Sequence, residues 1–185
     1  IMITLGTGVG SGIVIDGRIV YGHDGFAGEL GHVIVCPDGR LCGCGRKGCL
    51  EAYCSATGVA RTAREFLAES SEPSLLRSVP SDAITSKDVF KAAVSGDALA
   101  KRVFDFTGEI LGRAMADFVT FSAPEAFVLF GGLARAGALL FAPVRESMER
   151  SLLPLWRGKI KVLPSQLPAD DAAILGAASI AVQSL

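Results

Sequence analysis

Residues 28–51 read GELGHVIVCPDGRLCGCGRKGCLE, and within them His32 is followed by Cys42, Cys44 and Cys49. The spacing is H-x9-C-x-C-x4-C. Three thiolates and one imidazole are the donor set of a closed tetrahedral zinc site. Gly43, Gly45 and Gly48 let the backbone turn tightly enough to gather the sulfurs around one ion. A disulfide explains the pattern less well, because Cys42 and Cys44 are too close for an easy bridge and the five cysteines are odd in number. Core packing explains it less well too, since these three crowd a polar, glycine-rich loop. Cys36 and Cys54 lie outside the spacing and are expected to be inert packing residues. Four protein ligands leave no position for a reactive water, so the metal is expected to be structural.

The value of such a metal is positional. Glu29 stands three residues before His32, and Glu51 two residues after Cys49. His32 can give one ring nitrogen to the metal and keep the other for a hydrogen bond. Glu29, His32 and Glu51 are therefore expected to converge as two carboxylates and an imidazole, a receptor for several hydroxyls. Solvated surface is the plain alternative for each glutamate. The flanking Gly28, Gly31 and Leu50 weigh against it.

Working outward, Ile1–Leu5, Gly12–Asp16 and Arg18–Tyr21 read as strands, with Asp16-Gly17 as a tight hairpin turn, so an antiparallel meander is expected at the start. Leu50–Ser55 and Gly58–Glu69 have helical spacing, and Ser70–Pro80 is a polar break. Thr85 to Asp88 offers a cap before a helix over Val89–Ser95. Ala98–Phe121 reads as one long amphipathic helix, with Val103, Phe106, Ile110, Leu111, Ala114 and Phe118 on its apolar face. A strand over Ala126–Phe130, a helix from Gly137 to Leu152, a strand over Lys159–Leu163 and an alanine-rich helix over Ala172–Val182, entered through Asp170-Asp171, complete the pattern. This order predicts an α/β fold with a mixed sheet and flanking helices.

Two glycine-rich turns follow strands. In Gly6-Thr7-Gly8-Val9-Gly10-Ser11-Gly12 the backbone N–H groups can face an oxyanion without Cβ obstruction, and Thr7 adds a hydroxyl. It lacks the Gly-Lys-Ser/Thr of a P-loop and no helix follows it. Gly131-Gly132, between a strand and a helix, suits close approach of a nucleotide. Each signal is weak alone.

The 185 residues carry 18 basic and 19 acidic side chains, a net charge of −1, which argues against a polyanion-binding surface; no nucleic acid is expected as a partner of this chain. No window reaches the roughly 18–20 unbroken apolar residues of a membrane span, and no membrane partner is expected. The length suits one domain. The chain opens directly on an apolar strand, which reads as a piece cut from a longer protein.

Taken in order, G-T-G-x-G-x-G, Gly28-Glu29-Leu30-Gly31-His32, Pro37-Asp38-Gly39, C-x-C-G-x-x-G-C-L-E and Gly131-Gly132 resemble the ROK family of bacterial sugar kinases and sugar-responsive repressors. The resemblance covers essentially the whole chain. It implies a ribonuclease-H-like domain of the actin/Hsp70/sugar kinase superfamily, with residues 1–185 as the C-terminal of two domains, a zinc-binding loop at 28–51, and the N-terminal domain absent. It also implies ATP and magnesium as co-substrate and metal, a hexose substrate, a homodimer and a cytoplasmic setting. By position, Gly6, Thr7 and Gly8 match the second phosphate motif and Gly131 and Gly132 the adenosine motif. His32, Cys42, Cys44 and Cys49 match the zinc ligands, and Glu29, His32 and Glu51 the sugar ligands. The expected reaction is phosphorylation of a hexose, glucose at its 6-hydroxyl foremost, because Phe26-Ala27-Gly28-Glu29 is compact as in the glucokinase members. The alternative is the effector domain of a sugar-sensing repressor. The family's first phosphate loop and its Asn-Asp pair, whose Asp is the catalytic base, have no match in these residues. The isolated chain is therefore expected to be inactive.

Overall fold

The computed structural model describes residues 1–168 together with Leu175 and Gly176. The closing helix expected over Ala172–Val182 lies outside the described residues, apart from those two. Strand β1 (Met2–Leu5) pairs antiparallel with β2 (Val9–Gly12). After them β3 (Val14–Ile15) and β4 (Arg18–Ile19) form a separate antiparallel ribbon around Asp16 and Gly17, both at positive φ, as a two-residue hairpin requires. Helices α1 (Glu51–Cys54), α2 (Ala56–Glu69), α3 (Ser86–Val94) and α4 (Ala98–Ser122) follow. Strand β5 (Ala126–Phe130), helix α5 (Ala138–Ser151) and strand β6 (Lys161–Pro164) close the described chain. The main sheet runs β2-β1-β5-β6, with β1, β5 and β6 parallel and β2 antiparallel on the edge, the mixed α/β sheet expected.

The expected three-strand meander is not formed. The place beside β2 is taken by a turn from Gly28 to His32. Ser11 Oγ donates to the Gly28 carbonyl, and Leu30 N donates to Ser11 Oγ at 3.0 Å. Gly31 lies against the Val9 carbonyl so closely that a Cβ there would overlap it. With that edge covered, the β3–β4 ribbon stands off the sheet, and Val14 and Ile15 stay exposed.

Alternate residues of the central strands, Ile3 and Leu5 in β1 and Phe127 and Leu129 in β5, are completely buried in one core with α4. The helix buries more than the expected stripe. Leu99, Phe104, Met115 and Val119 join Val103, Leu111, Ala114 and Phe118, while Phe106 and Ile110 are half-buried. The solvent side is left to Asp105, Glu109, Arg113 and Asp117, four residues apart. Gly108 and Gly112 meet α5, where any Cβ would press on Pro143, Val144 and Ser147.

Helix α4 starts at Ala98 as expected, while α3 starts at Ser86, three residues before the expected Val89, because Thr85 itself is the cap. Thr85 and Asp88 form a reciprocal capping box at α3. Asp97 caps α4, accepting from Ala100 N at 2.9 Å and Ser74 Oγ at 2.8 Å, and from Leu75 N. Burial alone would raise its pKa, but these donors outweigh burial and hold it below the usual carboxylate value. A depressed folded pKa contributes stability that is present above the unfolded value, about 3.9, and is lost as pH falls through the folded one. Asp97→Ala is expected to lower stability by about 1–2 kcal/mol at pH 7. The deficit relative to the parent should shrink below about pH 4, as read by urea melts across pH.

Candidate functional site

Val9, the first residue of β2, is where the separate pieces of the site meet. The short 3-10 turn Leu30–His32 packs its Gly31 against the Val9 carbonyl and so sets His32 beside the strand. From the other side, the Glu51 carboxylate accepts from Val9 N at 3.0 Å through Oε2. Gly8 lies under that carboxylate, and a Cβ at position 8 would overlap it. A side chain at position 8 would push the Glu51 carboxylate out of this place.

Cys42 Sγ lies 3.7 Å from His32 Nδ1 and 3.5 Å from Glu51 Oε1. Cys44 Sγ lies 3.6 Å from Cys49 Sγ, and the donor atoms of His32, Cys42, Cys44 and Cys49 all fall within 4.8 Å of one another. A tetrahedral ion with bonds of about 2.3 Å to sulfur and about 2.0–2.1 Å to nitrogen separates its donors by about 3.5–3.8 Å. The four residues could therefore hold zinc. Positive φ at Gly45 and Gly48 makes the loop that gathers them, and Gly48 sits too close to the Cys36 carbonyl for any side chain. Burial pushes the Cys42 thiol up to about 12 and raises Cys49, while the backbone N–H of Arg46 lowers Cys44. Metal ligation uses the thiolates, so a divalent ion displaces the thiol protons when it binds. Because Nδ1 faces the sulfurs, Nε2 of His32 is left to donate elsewhere.

His32 and Glu51 are thus brought together around Cys42. Glu29 starts the same turn as His32, whose N–H donates to its carbonyl at 3.1 Å. Its carboxylate is exposed and forms no hydrogen bond or ion pair among the described residues. Cys54 is buried with its thiol 3.6 Å from the Thr107 carbonyl, a packing residue as expected. Cys36 is not one. It is exposed, next to the turn at Pro37-Asp38 where Asp38 has positive φ, and its thiol lies by the Tyr53 hydroxyl.

The glycine hairpin between β1 and β2 is gripped by the start of α2. Ala56 N donates to the Gly6 carbonyl at 2.8 Å, and Thr57 Oγ1 to the Thr7 carbonyl at 3.1 Å. Gly6, Thr7 and Gly132 line a mostly apolar cavity of about 270 Å³, with Leu5, Phe90 and Phe104 among its walls. Gly131 faces the Leu5 backbone, too near for a Cβ, and opens on a neighbouring cavity of about 320 Å³. Of the five glycine-turn residues singled out from sequence, three share one cavity, Gly131 borders the next, and Gly8 faces the acid. Sequence reasoning missed Ser86, Lys87 and Arg135, which also line the first cavity. Ser86 and Lys87 were visible only as part of a helix cap. Neither Lys87 nor Arg135 has an ion-pair partner among the described residues.

Comparison with known proteins gives a consistent result. The ROK family model matches residues 1–184. A glucokinase of Thermotoga maritima is 42% identical over 182 residues, 97% of this chain and 57% of that protein. The N-acetylglucosamine repressor of Escherichia coli O6:H1 is 30% identical over 185 residues, all of this chain and 44% of the repressor. Among solved structures, a ROK family glucokinase from Streptomyces griseus in complex with glucose and AMPPNP superposes with a TM-score of 0.88 at 38% identity, covering 98% of this chain and 60% of that one. The chain spans little more than half the length of the glucokinases it matches.

Proposed function

This chain belongs to the ROK family, and from that premise we propose that its parent protein transfers the γ-phosphoryl group of ATP to a hexose, glucose at its 6-hydroxyl. In this reading the chain is the C-terminal of two ribonuclease-H-like domains. Glu29, His32 and Glu51 bind sugar hydroxyls; Gly6, Thr7, Gly8, Gly131 and Gly132 take the nucleotide, which carries magnesium. His32, Cys42, Cys44 and Cys49 would hold a structural zinc, and when bound that ion fixes the His32 ring with Nε2 toward the sugar.

The observation that carries the proposal is the shared hairpin. Gly8 and Val9 N bear the Glu51 carboxylate, while Gly6 and Thr7, the preceding residues of the same hairpin, line the 270 Å³ cavity. An acceptor hydroxyl held by Glu51 and a phosphate held by the hairpin would be neighbours. Phosphoryl transfer depends mainly on such positioning, with the metal ion and charged groups stabilising the transferring phosphate. Lys87 and Arg135 supply two cations at the cavity for the polyphosphate. The base that takes the hydroxyl proton is assigned to the part of the parent protein outside this chain. The repressor alternative draws on a relative of lower identity, 30% against 42%. The paired nucleotide turns favour the kinase.

The test is a coupled assay of the full-length protein with ATP and glucose, joined to two substitutions. Glu51→Gln is expected to weaken glucose binding by about 10–100-fold, the range for a charged hydrogen bond worth about 1.5–3 kcal/mol. ATP affinity should change less than about twofold. Lys87→Ala is expected to give the reverse split. Equal losses for both ligands in either variant, or no phosphorylation by the parent protein, would contradict the proposal.

A further inference from the structure

The most heavily bonded charge in the described chain is Arg40, in the middle of the cysteine loop, and no ligand reading uses it. Its side chain is only 7% exposed. One terminal nitrogen donates to the Ala52 carbonyl at 3.1 Å, the other to Thr62 Oγ1 at 2.9 Å and to the Glu65 carboxylate. The guanidinium lies 4.5 Å above the Tyr53 ring, with the Phe106 ring 5.8 Å away on α4. Its backbone is engaged as well: Arg40 N donates to Tyr53 Oη at 2.9 Å, and its carbonyl accepts from Gly48 N at 2.8 Å. Taking a guanidinium out of water is expensive, and an apolar residue would fill the space without that penalty. Both terminal nitrogens are instead paired, with the Ala52 carbonyl in α1, beside Glu51, and with Gly58, Thr62 and Glu65 in α2.

Helix α1 has only four residues, too short to hold its own orientation by helical hydrogen bonds. What aims Glu51 must come from outside. Val9 N holds its carboxylate from the front. The Ala52 carbonyl and the Tyr53 ring and hydroxyl, the next two residues, are all held from behind by Arg40. A metal on His32, Cys42, Cys44 and Cys49 ties the loop to itself; Arg40 ties the loop to α1 and α2. We propose that Arg40 is a positioning residue that aims Glu51 at the sugar, and that it does so separately from the metal. The inference rests on the reading of Glu51 as a sugar ligand.

The experiment compares full-length, zinc-loaded wild type with Arg40→Met, Glu65→Gln and Tyr53→Phe. Zinc content, glucose and ATP affinities, and amide exchange at Ala52, Tyr53 and Cys54 are measured for each. For Arg40→Met, about one zinc per chain and an ATP affinity within about twofold of wild type are expected, with glucose bound at least about tenfold more weakly. Exchange at the three amides should rise at least about tenfold while α4 is unchanged. The two milder variants should move the same readouts in the same direction by less. A glucose affinity and amide exchange unchanged in Arg40→Met would overturn the proposal. If that variant loses zinc, glucose and ATP together, the milder variants decide: a selective glucose loss in them supports it, and no change overturns it. If wild type binds no glucose, the sugar reading fails on its own, and amide exchange alone still decides whether Arg40 holds α1.

Discussion

Cys44→Ser is expected to weaken metal binding, releasing part of the zinc, and to lower the melting temperature of the full-length protein by about 10 °C. Cys44 is exposed, so its sulfur contributes almost no packing and the effect isolates ligation. Structural zinc contributes roughly 10–16 kcal/mol to the folding of small zinc domains. Losing one of four ligands is expected to remove about 3–5 kcal/mol of the corresponding term here. In a domain of this size 1 kcal/mol shifts the melting temperature by about 2–4 °C, which gives the stated fall. Glucose affinity should fall with the metal, because His32 then loses the partner that sets its ring. Cys36→Ser, outside the cluster and also exposed, should change neither metal content nor melting temperature appreciably. Metal analysis and a thermal melt on both variants make the comparison; unchanged zinc in Cys44→Ser would remove Cys44 from the site.

Gly112→Val should destabilise the fold by about 3 kcal/mol, through a contact far from the cysteines. The first added atom would overlap the Val144 carbonyl oxygen on α5 and stand 2.7 Å from Met148 N and from Ser147 Cβ. Two of these three atoms are α5 backbone, so no rotamer change relieves the clash and the helices must separate. Separation also strains the bond from Ser147 Oγ to the Glu109 carbonyl, 2.8 Å long. Against this, valine gains only a few tenths of a kcal/mol over glycine in helix propensity. Helix α5 follows directly on the turn that brings Gly132 and Arg135 to the 270 Å³ cavity. ATP affinity is therefore expected to weaken more than glucose affinity. A melting temperature within about 2 °C of the parent would show that the α4–α5 approach is looser than these contacts require.

Features set by neighbouring residues were legible from sequence. The capping box at Thr85 and Asp88, the Asp16-Gly17 hairpin and the apolar face of α4 each depend on a few consecutive side chains, and each stands where expected. The cysteine spacing was legible because a loop of eight residues leaves few ways to arrange three sulfurs. What escaped depends on contacts between distant parts of the chain. That β3 and β4 pair apart from the main sheet follows from Ser11 reaching Gly28, seventeen residues away. Arg40 looked like one charge in a polar loop, yet its partners are Ala52, Thr62 and Glu65. Likewise Lys87 lies in the expected cap, but only the fold brings it to a cavity it shares with Thr7 and Gly132. Glu29 and Glu51 stand alike in sequence; in the fold the Glu51 carboxylate is bonded to Val9, while that of Glu29 has no partner among the described residues.

The central claim is that a four-ligand metal arranges a carbohydrate receptor. Calorimetric titration of glucose into the zinc-loaded full-length protein, the same protein after chelation, and the sample after zinc is returned tests it most directly. Affinity should drop at least about tenfold on chelation and recover with zinc, the size expected when a ligand-orienting contact is lost. Equal glucose affinity in all three samples would contradict it.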